Sequence, residues 1–267
     1  MAIIKILVAA HKLYWMPNDS VYMPIHVGRE GKADLGYVGD NTGDNISAKN
    51  PNYCELTALY WAWKNLEADY VGLVHYRRYF TNKEVRNIEG KKQQVLTSEQ
   101  WQNLLETYPV VVGDKRRYYI ENNRSHYNHA HHSEGLDVTE TIIAEMYPEY
   151  SEAFTTVCNR TWAHMFNMFV MRRDLYNQYC EWLFDILFEL EKRIDPQELS
   201  AFQGRFYGRV SEIIFNVWLD GEIKLGKIKK NEIKELPYQH MEKINWWKKS
   251  TAFLKAKFVG KRYEGSF

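Results

Sequence analysis

The chain has 267 residues, of which 45% are hydrophobic, and its 35 basic and 34 acidic residues give a net charge of +1. This composition is typical of a globular protein with an ordinary core, and the balanced charge argues against a nucleic-acid binder. No apolar run is long enough to cross a bilayer. The cysteines, Cys54, Cys158 and Cys180, are widely spaced and show no metal-binding pattern, so we expect them to be reduced and structural.

Short apolar runs alternate with helical patterns along the chain. The segments 4–12 (IKILVAAHK), 70–74 (YVGLV), 108–114 (YPVVVGD) and 164–173 (HMFNMFVMRR) are predicted to contain buried strands. The first segment is too short for a secretion signal and lacks a cleavage pattern, which favours a cytoplasmic protein. Helical spacing is expected after an Asn50 cap, from residue 138 to Pro148, from 175 to 190, and in a last helix that stops at Gly221. The alternation predicts an α/β domain with a mostly parallel sheet.

Polar side chains follow the predicted strands. His11 follows the first strand, and His75, Arg77 and Arg78 follow the strand YVGLV. Ligands of parallel α/β sheets bind at the carboxyl ends of the strands, so these residues are expected on one edge. Two adjacent guanidinium groups suit an anion such as a diphosphate. The equally supported alternative is that one arginine faces an internal carboxylate and the other faces water.

The glycine-rich stretch GDNTGDNIS offers short polar side chains before a helix. Asp40, Asn41, Asp44 and Asn45 could hold ribose hydroxyls, a base edge or a metal, although such clusters are more often plain turns. The stretch is neither a P-loop nor a dinucleotide-binding fingerprint.

Two further features could carry chemistry. The histidines His126, His129, His131 and His132 could bind a metal with Glu134 or Asp137, but their spacing matches no common metal site. Glu212 lies near the start of an apolar helix, where the helix dipole favours the ionised form, and could act as a general base or as a capping residue.

Four blocks of sequence, in order along the chain, resemble a known family. They are GDNISAKNPNYCELTALYWAWKN, YVGLVHYRRYF, NMFVMRRDLYNQYCEWLFDILFELEKRID and RFYGRVSEIIFNVWL. They resemble the bacterial capsular and exopolysaccharide biosynthesis family catalogued as a domain of unknown function, some members of which are regarded as galactofuranosyltransferases. The family is similar to GT-A glycosyltransferases, so the resemblance implies a Rossmann-type, mostly parallel sheet flanked by helices.

The resemblance also implies roles for residues. It suggests a UDP-sugar donor held by His11, Asp40, Asn41, Asp44, Asn45, His75, Arg77 and Arg78, with Glu212 as the base of an inverting transfer. Trp162, His164 and Asn167 are the candidates for the acceptor site, with a buried strand edge as the alternative. The Asp-x-Asp motif of many GT-A enzymes is absent here, and arginines can stabilise a departing diphosphate without a metal. Binding of Mn or Mg by Asp40 and Asp44 stays open.

The C-terminal segment is basic and aromatic. Residues 244–263 contain six basic and no acidic side chains, interleaved with Trp246, Trp247, Phe253 and Phe258. This composition suits an anionic membrane surface, so we expect a transferase domain (1–241) and a tail (242–267) that attaches it to the inner face of the membrane, near a lipid-linked glycan acceptor. A metal-dependent hydrolase and a non-catalytic scaffold of polysaccharide assembly are the alternatives.

Overall fold

The computed structural model describes residues 1–195, 200 and 202–242 of the chain. The strands are β1 (Ile4–Ala10), β2 (Tyr22–His26), β3 (Val38–Gly39), β4 (Tyr70–His75), β5 (Arg78–Phe80), β6 (Val110–Gly113), β7 (Arg116–Arg117), β8 (Trp162–Ala163), β9 (Phe169–Arg172), β10 (Ile233–Leu236) and β11 (Tyr238–His240). The helices are α1 (Asn50–Tyr53), α2 (Leu56–Asn65), α3 (Ile88–Gln93), α4 (Ser98–Leu105), α5 (Asn123–Ala130), α6 (Glu134–Met146), α7 (Ser151–Asn159), α8 (Arg173–Arg193) and α9 (Phe206–Lys224).

The main sheet has the strand order β10-β6-β9-β4-β1-β2-β3. The strands β1, β2, β3 and β4 are parallel to one another, whereas β9 is antiparallel to both β4 and β6. Since β4 and β6 are both antiparallel to β9, which lies between them, they run in the same direction. The carboxyl ends of β1, β2, β4 and β6 therefore meet at one edge, and the predicted α/β fold with a mostly parallel sheet is confirmed.

Both faces of the sheet are covered. Along β1, Leu7 and Ala9 pack in one hydrophobic core, which also contains the apolar faces of α2, α8 and α9. Ile6 and Val8 point to the opposite face and pack in a second core around Trp101 of α4. Because successive side chains of a strand alternate between faces, a strand covered on both sides is expected to be apolar at nearly every position, as this one is apart from Lys5.

The structure corrects three predicted boundaries. Asn50 does not cap one continuous helix. It is the first residue of α1, and the helix is interrupted before α2 at Cys54, whose φ is 54°. The segment HMFN is not part of β9, because Phe166 and Asn167 have φ of 75° and 51°, which no strand allows. The last helix does not stop at Gly221 but continues to Lys224.

The predicted division at residue 241 stays a prediction. The strand β11 pairs with β5, so the sheet extends to His240, and the tail beyond Glu242 lies outside the described residues. None of the helices in the described part of the chain is long and apolar enough to cross a membrane.

Candidate active site

The two adjacent arginines separate at the end of β4. Residues 76 and 77 form the turn of a hairpin in which His75 pairs with Arg78 of β5. The guanidinium of Arg78 lies over the ring of Phe166, 3.8 Å from its centroid, and is largely buried. Arg77 faces the other way and forms an ion pair of 3.3 Å with Glu242. The structure thus gives each arginine its own surroundings, and one of them does face a carboxylate.

Arg77 belongs to a group of cations at the carboxyl edge of the sheet. His11 packs edge-on against Tyr76, with 5.2 Å between the ring centroids. Its pKa is lowered, first by burial and then by nearby positive charges. We call the cations around His11 the cationic rim; it consists of Lys12, Lys32, Arg77 and Arg205. A concentration of positive charge that lowers the pKa of a neighbouring histidine is suited to bind an anionic ligand.

Glu212 lies in the second turn of α9, beyond this rim. Burial and then the nearby carboxylate of Glu55 raise the pKa of its carboxyl to about 7, against the opposite effects of Arg116, Arg78 and the backbone of Phe166. The helix dipole had favoured the ionised form, but burial and Glu55 outweigh it. A carboxyl group with a pKa near neutrality can both take up and release a proton, which general acid–base chemistry requires.

Glu55 was missed in the sequence. It directly precedes α2, and the sequence interpretation took it for part of a helix start. Its Oε1 accepts a hydrogen bond of 2.8 Å from Nδ2 of Asn167. The single available signal was its position in a block shared with the resembling family, because an acidic residue at a helix start is common for local reasons. Arg116 and Arg205 were missed as well.

His75 lies behind these groups. Its Nε2 is 2.6 Å from the carbonyl oxygen of Phe166, and burial lowers its pKa. Because a carbonyl oxygen only accepts hydrogen bonds, this nitrogen carries the proton and donates it to the Phe166 carbonyl. It is therefore not available to a ligand. His75 therefore orients the Phe166 backbone.

Of the three acceptor candidates, two are internal. Asn167 is 1% exposed, and its amide is fully hydrogen-bonded within the protein. His164 is 5% exposed; its Nδ1 bonds the carbonyl of Gly113 at 2.6 Å, and burial lowers its pKa to about 4. The ring of Trp162 is partly exposed and lies 3.6 Å from the guanidinium carbon of Arg160. Only Trp162 offers a surface to a sugar.

Asp40 organises the glycine-rich loop. Its carboxylate is fully buried and accepts hydrogen bonds from the backbone of Gly28 (2.7 Å) and Arg29 (3.0 Å), from Thr57 Oγ1 (2.5 Å) and from Ser47 Oγ. Four donors occupy the four acceptor positions of a carboxylate. The geometry therefore supports a structural role for this residue.

The other loop residues are engaged locally. Asp44 accepts from the hydroxyl of Tyr60 at 3.2 Å, Asn45 donates to the carbonyl of Gly43 at 2.9 Å, and Asn41 lies 3.4 Å from Glu30. All three stay partly accessible. Because the carboxylate of Asp40 is saturated and Asp44 binds Tyr60, this pair does not fit a metal site.

The histidine cluster divides into two parts. His126 and His129 share the carboxylate of Glu121, at 2.6 and 2.9 Å from their Nδ1 atoms. His131 instead bonds Arg209 at 2.9 Å, and burial followed by this cation lowers its pKa to about 3. Within residues 1–195, 200 and 202–242, no group of three or more histidine, cysteine, aspartate or glutamate side chains could hold a metal ion.

Comparison with known proteins places this geometry in a family. Residues 5–223 match the family described as "Domain of unknown function (DUF4422)". Among solved structures, the chain is similar to the "WbbM bifunctional glycosytransferase apo structure", with a TM-score of 0.82 and 35% sequence identity. None of the curated proteins compared matches the chain.

The structural match covers 90% of this chain but 46% of the other, so the chain spans about half the length of that protein. The match confirms the GT-A-like fold that the sequence blocks implied. The matched residues include nearly all of β1 and α9, the hairpin after β4, and the carboxylates of Glu55 and Glu212. The chain therefore belongs to the DUF4422 family, and its fold is that of a GT-A-like glycosyltransferase.

Proposed function

We propose that this chain transfers a glycosyl group from a nucleoside diphosphate sugar to a hydroxyl of a growing glycan. The observation that carries the proposal is the half-buried carboxyl of Glu212, with a pKa of about 7, near Arg205 of the cationic rim. The similarity to a bifunctional glycosyltransferase supports it. Since the chain corresponds to about half of that protein, the similarity does not identify which of two activities would apply.

In the proposed reaction, Glu212 removes the proton from the acceptor hydroxyl. The freed oxygen attacks the anomeric carbon of the donor, and the bond from this carbon to the diphosphate oxygen breaks. The leaving diphosphate carries the electron pair away, and positive side chains of the rim stabilise its charge. Attack opposite the leaving group inverts the anomeric carbon. UDP-galactofuranose is the first donor to test, as implied by the family resemblance.

Arg77 is the residue of the rim best placed to exchange its partner. It holds Glu242 at 3.3 Å in a half-exposed ion pair, and such pairs contribute about 0–1 kcal/mol. A diphosphate offers more negative charge and more acceptor oxygens than one carboxylate, so it can replace Glu242. Arg78 is covered by Phe166 and lies near Glu212, where it would face the reacting sugar.

Calorimetric titration with UDP and UDP-sugars, with and without EDTA, tests this proposal. We expect binding that survives EDTA, and we expect Arg77→Ala to weaken UDP affinity by at least tenfold, since a charge-assisted contact contributes about 1.5–3 kcal/mol. The exposed Arg86→Ala is the matched control. Absence of nucleotide binding would favour the scaffold alternative, and binding that requires a divalent ion would contradict recognition by cations of the chain.

A second experiment addresses the chemistry. Glu212→Gln preserves the size of the side chain but cannot accept the proton, so transfer should fall by 10²-fold or more while UDP affinity is unchanged. Radiolabelled donor with cell-envelope glycan as acceptor provides the measurement. A Glu212→Gln variant with normal turnover would exclude this residue as the base.

The C-terminal tail, outside the described residues, is proposed to contact anionic membrane lipid. Attachment would raise the local concentration of a lipid-linked acceptor. Removal of residues 244–267 should reduce sedimentation with vesicles containing anionic lipid. Equal sedimentation of the shortened chain would end the proposal.

A further inference from the structure

One backbone corner contacts both carboxylates of the site. The corner consists of Phe166 and Asn167, whose φ angles are 75° and 51°. The backbone of Phe166 lowers the pKa of Glu212, and the side chain of Asn167 donates to Glu55 at 2.8 Å. Left-handed backbone at residues other than glycine and asparagine is costly, and such residues cluster at functional sites.

Asn167 connects Glu55 to the turn of α9 that precedes Glu212. Its Nδ2 also donates to the carbonyl of Gly208 at 3.2 Å, and its Oδ1 accepts from Ser211 Oγ at 3.2 Å. Gly208 lies one helical turn before Glu212, and Ser211 directly precedes Glu212 in the sequence. The amide of Asn167 thus fixes Glu55 against the helix that carries Glu212.

The residue immediately before Glu55 also has a positive φ. Cys54 has a φ of 54°, and it is the third non-glycine residue with positive φ in the described ranges. All three such residues therefore adjoin the contact between Glu55 and Asn167. An ordinary helix start has no need of this backbone, whereas a carboxylate held at a fixed place near Glu212 does.

We propose that Glu55 is a positioning residue that acts through Glu212: its negative charge, held in place by Asn167, makes Glu212 a stronger acceptor of the proton of a sugar hydroxyl. The catalytic meaning of this role rests on the function proposed above. The electrostatic part concerns two carboxylates of the chain itself and can be tested without any substrate.

The charges around Glu212 show why Glu55 matters. Burial has the largest effect on the pKa of Glu212, and Glu55 comes next, ahead of each cation. The other titratable groups that influence this region come from several elements: Arg78 of β5, Arg116 of β7, Arg205 and Arg209 at the start of α9, Tyr238 of β11, and His75 of β4, which lies near Glu55. Without Glu55, the arginines would stabilise the carboxylate and weaken it as a base.

The test is a carbon-13 NMR titration of glutamate carboxyl groups in the full chain. The resonance of Glu212 is assigned by its loss in Glu212→Gln. In Glu55→Gln, which retains the oxygen that accepts from Asn167, the titration midpoint of Glu212 should fall by about one pH unit, since a neighbouring like charge has been removed. The exposed Glu99→Gln is the control and should leave the midpoint unchanged.

A second variant tests the role of Asn167. Asn167→Gly suits the left-handed backbone but removes the amide that holds Glu55. The charge of Glu55 is then free to turn toward water, so the midpoint of Glu212 should also fall, by less than in Glu55→Gln. This variant keeps the proposal testable if Glu55→Gln does not fold. An unchanged midpoint in a folded Glu55→Gln or Asn167→Gly variant would overturn the proposal.

The pH dependence of transfer separates this proposal from the proposed function. If Glu212 is the base, the acidic limb of kcat/KM should move to lower pH in Glu55→Gln together with the NMR midpoint. A midpoint that moves in a chain without transfer activity supports the coupling and contradicts the function. Active transfer with an unmoved midpoint and an unmoved limb supports the function and contradicts the role of Glu55.

Discussion

Arg77 and Arg78 are neighbours in the sequence, but their guanidinium groups serve different parts of the site. Successive side chains near a strand point in opposite directions. Arg78 is covered by Phe166 and lies near Glu212, whereas Arg77 reaches Glu242 and the cationic rim. A single diphosphate between two equivalent arginines is therefore too simple a picture, and Arg77 is the one that stays accessible to such a ligand.

Glu212 should lower the stability of the fold at neutral pH. Its pKa rises from an ordinary 4.5 to about 7 on folding. The folded state therefore binds the proton more tightly, so the contribution to stability is complete below pH 4.5 and is lost as the pH rises to 7. Each pKa unit corresponds to about 1.4 kcal/mol.

We therefore expect Glu212→Gln to be more stable than the wild type at pH 8, by on the order of 2–3 kcal/mol relative to the difference at pH 4.5. Urea unfolding at a series of pH values measures this difference, with Glu99→Gln as an exposed control. A difference that does not grow between pH 4.5 and 7 would show that the carboxyl is not perturbed in this way.

At the scale of elements, α9 carries Glu212, the proposed base, and also contributes to the core beneath it. It packs between α7 and the turn formed by residues 148–150, and fourteen of its nineteen residues are buried. Gly221 was expected to end this helix. The helix continues past it, and the ring of Tyr150 accounts for the glycine, because it leaves no space for a side chain there.

Gly221→Ala is therefore expected to destabilise the protein, although alanine is the better helix former by about 1 kcal/mol. The new methyl group would overlap the ring of Tyr150, which is 4% exposed and is held by a hydrogen bond to Glu222. Overpacking of a core costs about 1–3 kcal/mol. We expect a net loss of on the order of 1–2 kcal/mol.

Thermal and urea unfolding would measure the effect of Gly221→Ala, and Glu149→Ala, exposed in the same turn, is the control. A stability equal to that of the wild type would show that Tyr150 can move aside. A gain would mean that helix propensity outweighs the packing of this ring.

At the scale of the whole molecule, the last described residues close the site. The strand β11 pairs with β5, and Tyr238 packs against Phe166 with 5.5 Å between the ring centroids. Met241 is 3% exposed, and its backbone N–H donates to the carbonyl of Arg77 at 2.7 Å. These contacts hold the hairpin that carries the two arginines.

Two truncations should therefore behave differently. A chain that ends at Glu242 should keep the stability of the full chain. A chain that ends at Leu236 should lose at least about 2 kcal/mol, because burial of one large apolar side chain contributes about 1.5–3 kcal/mol. Thermal unfolding of both measures the effect. Equal stability of the two would show that β11 is dispensable.

The sequence determined several of the elements and the edge of the sheet at which His11 and the two arginines lie. Apolar runs and helical spacing are local patterns, and they located β1, β4, β6 and α8 because burial on both faces or on one face constrains each residue independently of its partners. The strand-end rule then brought His11 and the arginines to one edge. The segment HMFN was interpreted wrongly, because an apolar run does not reveal backbone of positive φ.

Only the tertiary structure decided how the side chains pair. Glu55 and Asn167 are 112 positions apart, and Arg77 and Glu242 are 165 apart. The sequence made Asp40 a ligand candidate, but in the structure four internal donors saturate its carboxylate. Nothing in the sequence singled out Glu55, whereas the structure places it near Glu212. Such pairings depend on distances across the folded chain and on burial, which raises the pKa of Glu212 in a way that its local helix position alone would not predict.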